Sequence, residues 1–377
     1  MGDGGIHGCE SSLRGSQRRR RQRFECDAHG CAHRNSTKVP AKASSGPSVR
    51  RVARAPYGKR PRLRHNGPMT EIVVIENESW RVGLIPSTGG SVAFGQTRIG
   101  DAWVDVLRPT PTEHLRSAPA TASYPLVPWS NRIHHGALAW QGREYQLRIN
   151  FPDGTAIHGT GSEFPWTVVE KAADRVVLEF VSTEFYGVNF PWSFTARFTY
   201  ALDGNRFTWG MAVTNTDAEA FPAGLGHHPH FLRALTGADG NALGGEVQLQ
   251  VNSEMTYPLE ACMPVGPAAT PPPHTDFRTL RPLGDPFVDD CFTGRTSPVT
   301  ATLEYPGALT VDFEADDLFQ HVVVYIPQGQ TFLAVEPVTN ANDGFNLMRD
   351  GVEGHGVFVV EPGATVGAEF SLVANVH

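Results

Sequence analysis

The sequence predicts an all-β protein built as a large antiparallel β-sandwich. Three observations support this fold class: apolar and polar side chains alternate in many short runs, glycine-containing turns separate those runs, and no window has the periodicity of a convincing amphipathic helix. Strands do not alternate with helices, which disfavours a parallel sheet, and no internal repeat indicates a propeller. We therefore expect many antiparallel strands around one sizeable core.

Two hairpins are the clearest predicted elements. Apolar side chains occupy every second position over residues 194–200, and the alternation resumes over residues 207–213 after the turn Asp203-Gly204-Asn205. Residues 138–140 and 145–147 flank a Gln-Gly turn in the same way. Further strands are expected in the apolar runs 70–75, 176–181, 247–251, 321–326, 331–335 and 357–360.

Charge divides the chain near Met69. Residues 1–68 carry 16 Lys and Arg against 4 Asp and Glu, with four consecutive arginines at 18–21 and no apolar periodicity. Such a segment cannot bury enough apolar surface to offset its ordering entropy, so we interpret it as a disordered basic extension. Two interpretations stay open for it, a mis-assigned start before Met69 or a dispensable tail. The folded domain is expected over residues 69–377.

The remainder of the chain is acidic, with 16 Lys and Arg against 35 Asp and Glu. This charge argues against nucleic acid or an anionic membrane as a partner. No run approaches the roughly 18 apolar residues of a transmembrane helix, and no apolar segment indicates a secretory signal. The five cysteines are too few and too scattered for a disulfide framework. We expect a cytoplasmic protein, monomeric or homodimeric, that acts on a small molecule.

Histidines and one glutamate carry most of the chemical signal. His227, His228 and His230 lie together in the segment Gly-Leu-Gly-His-His-Pro-His-Phe, and His158 lies in Ile-His-Gly-Thr-Gly. Glu336 interrupts the apolar run Phe-Leu-Ala-Val-Glu-Pro, where a buried charge is costly unless it is paired or used. The alternatives that stay open are a polar loop for the histidines and a solvent-exposed strand end for the glutamate.

A metal site is another possible use of these histidines. His228 and His230, with a distant histidine and glutamate, could ligate a divalent ion as in cupins. The cupin pattern requires a glutamate a few residues after the histidine pair, whereas residues 231–235 contain none. We therefore expect no metal. The sequence also has no phosphate loop or nucleotide fingerprint, so no other cofactor is expected.

Polar residues suited to hydroxyl recognition accompany the histidines. Asn131 and Arg132 follow a proline-containing loop, and Asp289 lies in Val-Asp-Asp-Cys-Phe. Amide, guanidinium and carboxylate groups can bind vicinal hydroxyls, although a structural arginine pair is the ordinary alternative. The combination favours acid–base chemistry on an uncharged, polyhydroxylated substrate. Three tryptophans could stack on sugar rings or, as most tryptophans of a β-sandwich do, lie in the core: Trp129, Trp166 and Trp192.

Together these segments resemble the aldose 1-epimerase (galactose mutarotase-like) family. They occur in the family's order and span nearly all of residues 69–377. The matching segments are Asn131-Arg132-Ile133 with Gly136 and the hairpin after it, Ile157-His158-Gly159 with Trp166 downstream, His228-Pro229-His230-Phe231, Asp289 three residues before Phe292, and Glu336-Pro337. The resemblance implies a supersandwich fold, no cofactor, and interconversion of the α and β anomers of free aldoses.

The resemblance also implies a role for each candidate residue. Glu336 resembles the base that removes the proton of the anomeric hydroxyl, His228 resembles the acid that protonates the ring oxygen, and His158 resembles a second histidine beside that oxygen. We therefore expect a bell-shaped pH–rate profile, with an acid limb from Glu336 and a basic limb from His228. The implied hydroxyl-binding set is Asn131, Arg132, His230 and Asp289.

Two departures from the family pattern bear on the choice of sugar. His230 stands where many members have tyrosine, and three valines precede Tyr325 where many galactose-type members have a sugar-binding glutamine. The resemblance therefore does not imply a preference for galactose. Two other function classes stay open. One is a non-catalytic sugar-binding domain, which would need no acid–base pair. The other is a polysaccharide lyase or hydrolase, and a lyase that cleaves uronic polymers would need a basic groove.

Overall fold

The computed structural model describes residues 70–377, so the prediction for residues 1–68 lies outside the described residues. Within the described part, the chain forms 30 strands, five short 3-10 helices and one α-helix. The predicted all-β class is confirmed. No helix among these residues has the length and apolar character needed to cross a membrane.

The first half of the described chain supplies fifteen strands. They are β1 (Val73–Glu76), β2 (Trp80–Ile85), β3 (Ser91–Ile99), β4 (Ala102–Asp105), β5 (Pro125–Leu126), β6 (Arg132–Ile133), β7 (Ala137–Trp140), β8 (Arg143–Gln146), β9 (Ala156–Ile157), β10 (Thr167–Lys171), β11 (Arg175–Val181), β12 (Phe194–Asp203), β13 (Arg206–Asn215), β14 (Phe221–Ala223) and β15 (Gly226–His227).

The second half supplies the other fifteen. They are β16 (His230–Leu232), β17 (Leu235–Thr236), β18 (Ala242–Leu243), β19 (Gln248–Val251), β20 (Ser253–Thr256), β21 (Leu259–Glu260), β22 (Met263–Pro264), β23 (Arg281–Pro282), β24 (Val288–Arg295), β25 (Val299–Tyr305), β26 (Leu309–Ala315), β27 (His321–Ile326), β28 (Phe332–Val338), β29 (Phe358–Val360) and β30 (Thr365–Val376). The helices are α1 (Gly344–Arg349) and the 3-10 turns Thr112–His114, Ala118–Ala120, His134–Gly136, Gly161–Glu163 and Ser182–Glu184.

Two large antiparallel sheets dominate the described residues. One has nine strands in the order β10-β11-β12-β13-β30-β26-β25-β19-β23. The other has seven strands in the order β20-β24-β27-β28-β15-β5, with β16 also paired to β28. A further four-stranded sheet contains β1 to β4. Side chains from all three sheets join one continuous apolar core, which is the sandwich arrangement expected from the sequence.

The two predicted hairpins are both present. β12 and β13 pair over ten residues each, and alternate side chains along both strands are buried, as the period of two predicts. β7 and β8 pair across a turn in which Gln141 has φ 48° and Gly142 has φ 75°. Both central residues of this turn have positive φ, which is the conformation of a tight two-residue hairpin.

The sequence did not predict helix α1. It comprises only six residues, and its N-cap Asp343 has φ 54°. A segment this short is well under the window of about 11–18 residues over which helical periodicity can be recognised. Apart from α1, the helices of the described residues are 3-10 turns of three residues each, so the prediction that the fold consists mainly of strands is confirmed.

The three tryptophans considered as sugar-stacking faces belong to the core. Trp129, Trp166 and Trp192 are at most 4% exposed and lie within the main apolar cluster. Trp192 packs edge-on against Phe190, and Trp166 packs against Phe198. The sugar-stacking interpretation is therefore wrong for all three, and the core interpretation is right.

The seven-stranded sheet brings the candidate residues close together. Glu336 lies in β28, which pairs with β27 on one side and with β15 and β16 on the other. His228 lies in the two-residue link between β15 and β16. Asp289 lies in β24, the neighbour of β27. Residues that are far apart in sequence thus lie on or beside the strands of one sheet, with β27 between the strands of Asp289 and Glu336.

Candidate active site

Glu336 is a buried carboxylate within a strand rather than a strand end in solvent. Its side chain is 2% exposed, and Oε1 lies 3.2 Å from Nε2 of His228. Oε2 has no hydrogen-bond partner in the structure. Burial raises the pKa of Glu336 well above its ordinary value, the negative charge of Asp289 raises it further, and the charge of Arg132 acts in the opposite direction. The solvent-exposed alternative is therefore wrong.

His228 is held between Glu336 and the ring of Tyr124. The two aromatic rings are stacked, with centroids 5.0 Å apart and an interplanar angle of 20°. The His228 backbone N–H donates to the Tyr124 carbonyl oxygen at 3.1 Å. Burial lowers the pKa of His228 to about 3, and the positive charges of Arg108 and Arg132 contribute to the lowering. Its Nδ1 is buried without a partner.

His158 meets the same pair from a strained turn. Its φ is 61°, an unusual conformation for a residue with a side chain, and its ring packs edge-on to that of His228 with centroids 5.3 Å apart. Gly159 follows with φ 70°, and a Cβ there would lie 2.1 Å from the Val127 carbonyl oxygen. Only glycine fits this close approach. Burial, and then the neighbouring His228, lower the pKa of His158.

His230 lies on the other side of His228, with ring centroids 4.6 Å apart. Its Nδ1 is 3.1 Å from the Thr121 carbonyl oxygen and 3.4 Å from a guanidinium nitrogen of Arg108. A carbonyl oxygen can only accept, so the shorter contact assigns the ring hydrogen to Nδ1 and leaves Nε2 as an acceptor. Burial lowers the pKa of His230, so the ring is neutral.

His227, the third histidine of the segment, points into the core instead. It is fully buried, Ser123 Oγ is hydrogen-bonded to its Nδ1, and the Tyr200 hydroxyl is 2.9 Å from its Nε2. Its ring packs edge-on against Trp209. His227 is the last residue of β15 and His228 the first of the link that follows, and the two side chains lie on different sides of the backbone. The polar-loop alternative is wrong for His227 and His230, which lie in strands and are at most 5% exposed, whereas His228 does lie in a link, with its side chain 12% exposed.

Arg132 and Asp289 form the polar wall beside the pair. Arg132 Nη2 lies 3.7 Å from Asp289 Oδ2, and its Nε donates to Asp153 Oδ2 at 2.9 Å. These carboxylates raise the pKa of Arg132 against the effect of burial. Asn131 has φ 56°, and its amide nitrogen donates to the Asn340 carbonyl oxygen at 2.7 Å. Asn131 and His158, which both have positive φ, are in direct contact, because the His158 backbone N–H donates to the Asn131 carbonyl oxygen at 2.9 Å.

Sequence reasoning missed four residues of this region: Tyr124, Arg108, Cys262 and Asn342. Tyr124 stacks on His228, and Arg108 lies over the Phe332 ring at 4.2 Å while donating to the Thr121 carbonyl oxygen. Their contacts are long-range, and nothing in the local sequence marks Arg108. Tyr124 lies a few residues before Asn131 and Arg132, which the sequence did indicate.

Unsatisfied polar atoms converge on the pair. His158 Nδ1, His228 Nδ1 and Glu336 Oε2 are buried with no partner. A buried polar atom without a partner costs about 1–3 kcal/mol, so a ligand with several hydroxyl groups would stabilise this region. Among residues 70–377, no group of three or more His, Cys, Asp and Glu side chains is arranged to hold a metal ion. The site suits a polyhydroxylated ligand and proton transfer.

The fold is that of the galactose mutarotase-like class of β-sandwich proteins. Among solved structures, the chain is similar to a galactose mutarotase-like protein from Clostridium acetobutylicum, with a TM-score of 0.71, 19% identity, and coverage of 81% of this chain and 95% of that one. It is also similar to the GalM/aldose epimerase homologue from C. elegans, with a TM-score of 0.67, 16% identity, and coverage of 81% and 99%. The supersandwich prediction is confirmed.

Sequence comparison identifies the family. The aldose 1-epimerase family matches residues 71–372, and the chain belongs to this family. Two proteins of Escherichia coli K12 are similar in sequence to this chain. YihR is 28% identical over 225 residues, 59% of this chain and 70% of that protein. YphB is 27% identical over 264 residues, 66% of this chain and 82% of that protein.

Proposed function

We propose that the protein is a mutarotase that interconverts the α and β anomers of free aldoses by general acid–base ring opening and closure. The observation that carries this proposal is the pair of His228 Nε2 and Glu336 Oε1, 3.2 Å apart and buried beside unsatisfied polar atoms. A cyclic aldose carries its anomeric hydroxyl and its ring oxygen on one carbon. The base and the acid that act on them must therefore lie close together, as these two groups do.

Ring opening moves two protons and breaks one bond. Glu336 accepts the proton of the anomeric hydroxyl, the bond between C1 and the ring oxygen breaks, and His228 donates a proton to that oxygen. Rotation about the bond between C1 and C2 presents the other face of the aldehyde. Closure then reverses both transfers. A positioned acid or base typically contributes about 10²–10⁴ to the rate, and both protons that move in ring opening and closure pass between the substrate and this pair.

The resting pair holds the proton that the reaction needs. Burial disfavours the carboxylate and the imidazolium alike, so the free pair is a neutral carboxylic acid beside a neutral imidazole. The ion pair of carboxylate and imidazolium contains the same number of protons. Transfer of one proton from Glu336 to His228 therefore gives the reactive form without exchange with solvent, and a bound sugar with hydroxyl groups would stabilise it.

The surrounding polar groups are proposed to orient the sugar. Arg132 donates, Asp289 accepts, and Nε2 of neutral His230 accepts, so different hydroxyl groups can be bound from different sides. Asn131 is proposed to complete this set. His158, edge-on to His228, is proposed to lie beside the ring oxygen. Positioning of this kind contributes to the rate by holding the reacting atoms in place.

Anomer exchange measured directly tests the proposal. Polarimetry after dissolving pure α-anomers of glucose, galactose, xylose and arabinose should show faster equilibration with the protein than without it for at least one sugar. Two-dimensional NMR exchange should show the same rate at equilibrium. Saturable binding of a sugar with no acceleration would instead indicate the non-catalytic sugar-binding alternative, because binding alone does not need the His228–Glu336 pair.

A further inference from the structure

We propose that Cys262 is a positioning residue for Asp289, holding this carboxylate in place for a sugar hydroxyl and so contributing to the choice of aldose. The Cys262 thiol donates to Asp289 Oδ2 at 3.2 Å. Arg132 Nη2 lies 3.7 Å from the same oxygen. The proposal rests on the proposed function, since it concerns the hydroxyl-binding wall of the same site.

A tight hairpin presents the thiol to the carboxylate. Ala261 and Cys262 link β21 to β22 and have φ of 48° and 62°. Tight turns with two positive φ angles favour asparagine, aspartate and glycine, and a side chain of another type in this conformation carries strain. The chain nevertheless has cysteine there, with the sulfur directed at a carboxylate. Strain retained beside a site is a reason to assign the residue a role in that site.

The thiol is a hydrogen-bond donor rather than a nucleophile. Burial, together with the negative charge of Asp289, raises the pKa of Cys262 to about 12. At neutral pH the sulfur therefore carries its hydrogen and can donate it in a hydrogen bond to the Asp289 carboxylate. An alanine would leave Asp289 held by Arg132 alone, whereas a serine would restore a donor in the same place.

A second buried polar side chain supports this assignment. Asn342 is 2% exposed, and its amide nitrogen donates to the Cys262 carbonyl oxygen at 2.8 Å. Its Oδ1 is buried with no partner. Asn342 follows Glu336 by six residues, so it connects the hairpin that carries the thiol to the segment that leaves the catalytic strand. The unsatisfied amide oxygen is available to a donor on a bound sugar.

The test compares four forms of the full chain: wild type, Cys262→Ala, Cys262→Ser and the control Ala261→Gly. Ala261→Gly alters the same turn without touching the thiol. Affinity for glucose, galactose, xylose and arabinose is measured by calorimetric or NMR titration, together with kcat, KM and Tm. If Cys262→Ala does not fold, Cys262→Gly removes the thiol at a φ that glycine adopts without strain and decides the same comparison.

We expect Cys262→Ala to weaken binding of the preferred aldose by about 2- to 10-fold, the loss of one hydrogen bond. KM should rise by the same factor while kcat stays the same. Cys262→Ser should restore affinity, and Ala261→Gly should bind as the wild type does. Unchanged affinity in Cys262→Ala overturns the proposal. Equal losses in Cys262→Ala and Cys262→Ser with a lower Tm also overturn it, since they indicate a purely structural residue.

The same measurements separate this proposal from the proposed function. A wild-type protein that binds an aldose without accelerating anomer exchange is not a mutarotase of these sugars, and the affinity comparison still decides the role of Cys262. A wild-type protein that binds none of the four aldoses overturns both.

Discussion

Nε2 of His228 and Oε1 of Glu336 lie 3.2 Å apart in a place where neither charge is favoured alone. Burial raises the pKa of the glutamate well above its ordinary value of 4.5 and lowers that of the histidine from 6.5 to about 3. The order of the two pKa values is thereby reversed relative to the free amino acids. Because the groups are in contact, they titrate as a pair that gains or loses protons as a unit.

This reversal predicts the pH dependence of kcat/KM. In the proposed mechanism, the active form is the pair that holds one shared proton. In acid the pair takes up a second proton, on His228, near the lowered pKa of about 3. In base the pair loses its one proton, from Glu336, at a raised pKa. The acid limb should therefore lie below pH 4.5 and report uptake of a further proton by the pair, in contrast to an acid limb set by a glutamate with its ordinary pKa. Rates corrected for the spontaneous reaction check this, and activity confined between pH 4.5 and 6.5 would contradict it.

Replacing Asp289 with asparagine should shift the basic limb to lower pH. The negative charge of Asp289 raises the pKa of Glu336. Without that charge the carboxylate forms more readily, so the pair loses its proton at a lower pH. KM should also rise, since Asp289 is proposed to bind a hydroxyl. The pH profile of kcat/KM for Asp289→Asn checks the shift. A basic limb that stays in place or moves to higher pH would show that Asp289 does not act on Glu336.

His227→Leu should lower stability and leave catalysis unchanged. The His227 ring is hydrogen-bonded to Ser123 and Tyr200 in the core. Leucine leaves the buried Ser123 hydroxyl without this partner, at a cost of about 1–3 kcal/mol, whereas the Tyr200 hydroxyl still donates to the Gly90 carbonyl oxygen at 3.1 Å. Tm should fall, while kcat/KM measured well below Tm should equal that of the wild type. His228→Leu is the matched comparison and should show the reverse. A loss of kcat/KM in folded His227→Leu would place this histidine in the catalytic set.

The aromatic ring of Tyr124 should contribute to kcat by orienting His228. The ring stacks on His228 and meets His158 edge-on, and aromatic pairs of this kind contribute about 0.5–1.5 kcal/mol. Tyr124→Leu removes the stacked surface that holds the imidazole, so kcat should fall by about 2- to 10-fold. Tyr124→Phe keeps the ring and should be less affected. Equal kcat values in Tyr124→Leu and wild type would show that stacking does not orient His228.

Much of the fold could be predicted from the sequence because strand pairing leaves a local pattern. The hairpin of β12 and β13 is marked by alternate apolar residues and a glycine turn, and both strands form with alternate burial. Glu336 could be recognised as unusual because it interrupts an apolar strand, and it is buried as that position implies. Strands of two residues, such as β15, are too short to leave a pattern.

The rest of the site depends on long-range contacts that one sequence does not encode locally. His227 and His228 are adjacent, and only the direction of the strand decides which of them faces the core. Cys262 comes near Asp289 because one hairpin folds towards another strand. The reversed pKa values of the pair follow from burial in the folded state. The catalytic and binding roles of all the candidate residues, the cytoplasmic location and the oligomeric state stay predictions.

The measurement that tests the central claim most directly is the anomer exchange rate of Glu336→Gln, His228→Asn and the double variant, with the wild type as reference. Glutamine keeps the size of the side chain but cannot accept the proton, and asparagine cannot donate one to the ring oxygen. Each single variant should remain folded, with an unchanged far-ultraviolet circular dichroism spectrum, and lose about 10²–10⁴ in rate.

The double variant should be far less impaired than the product of the single losses, because the two groups act in one proton exchange. A folded Glu336→Gln that equilibrates anomers at the wild-type rate would contradict the claim and show that another group is the base.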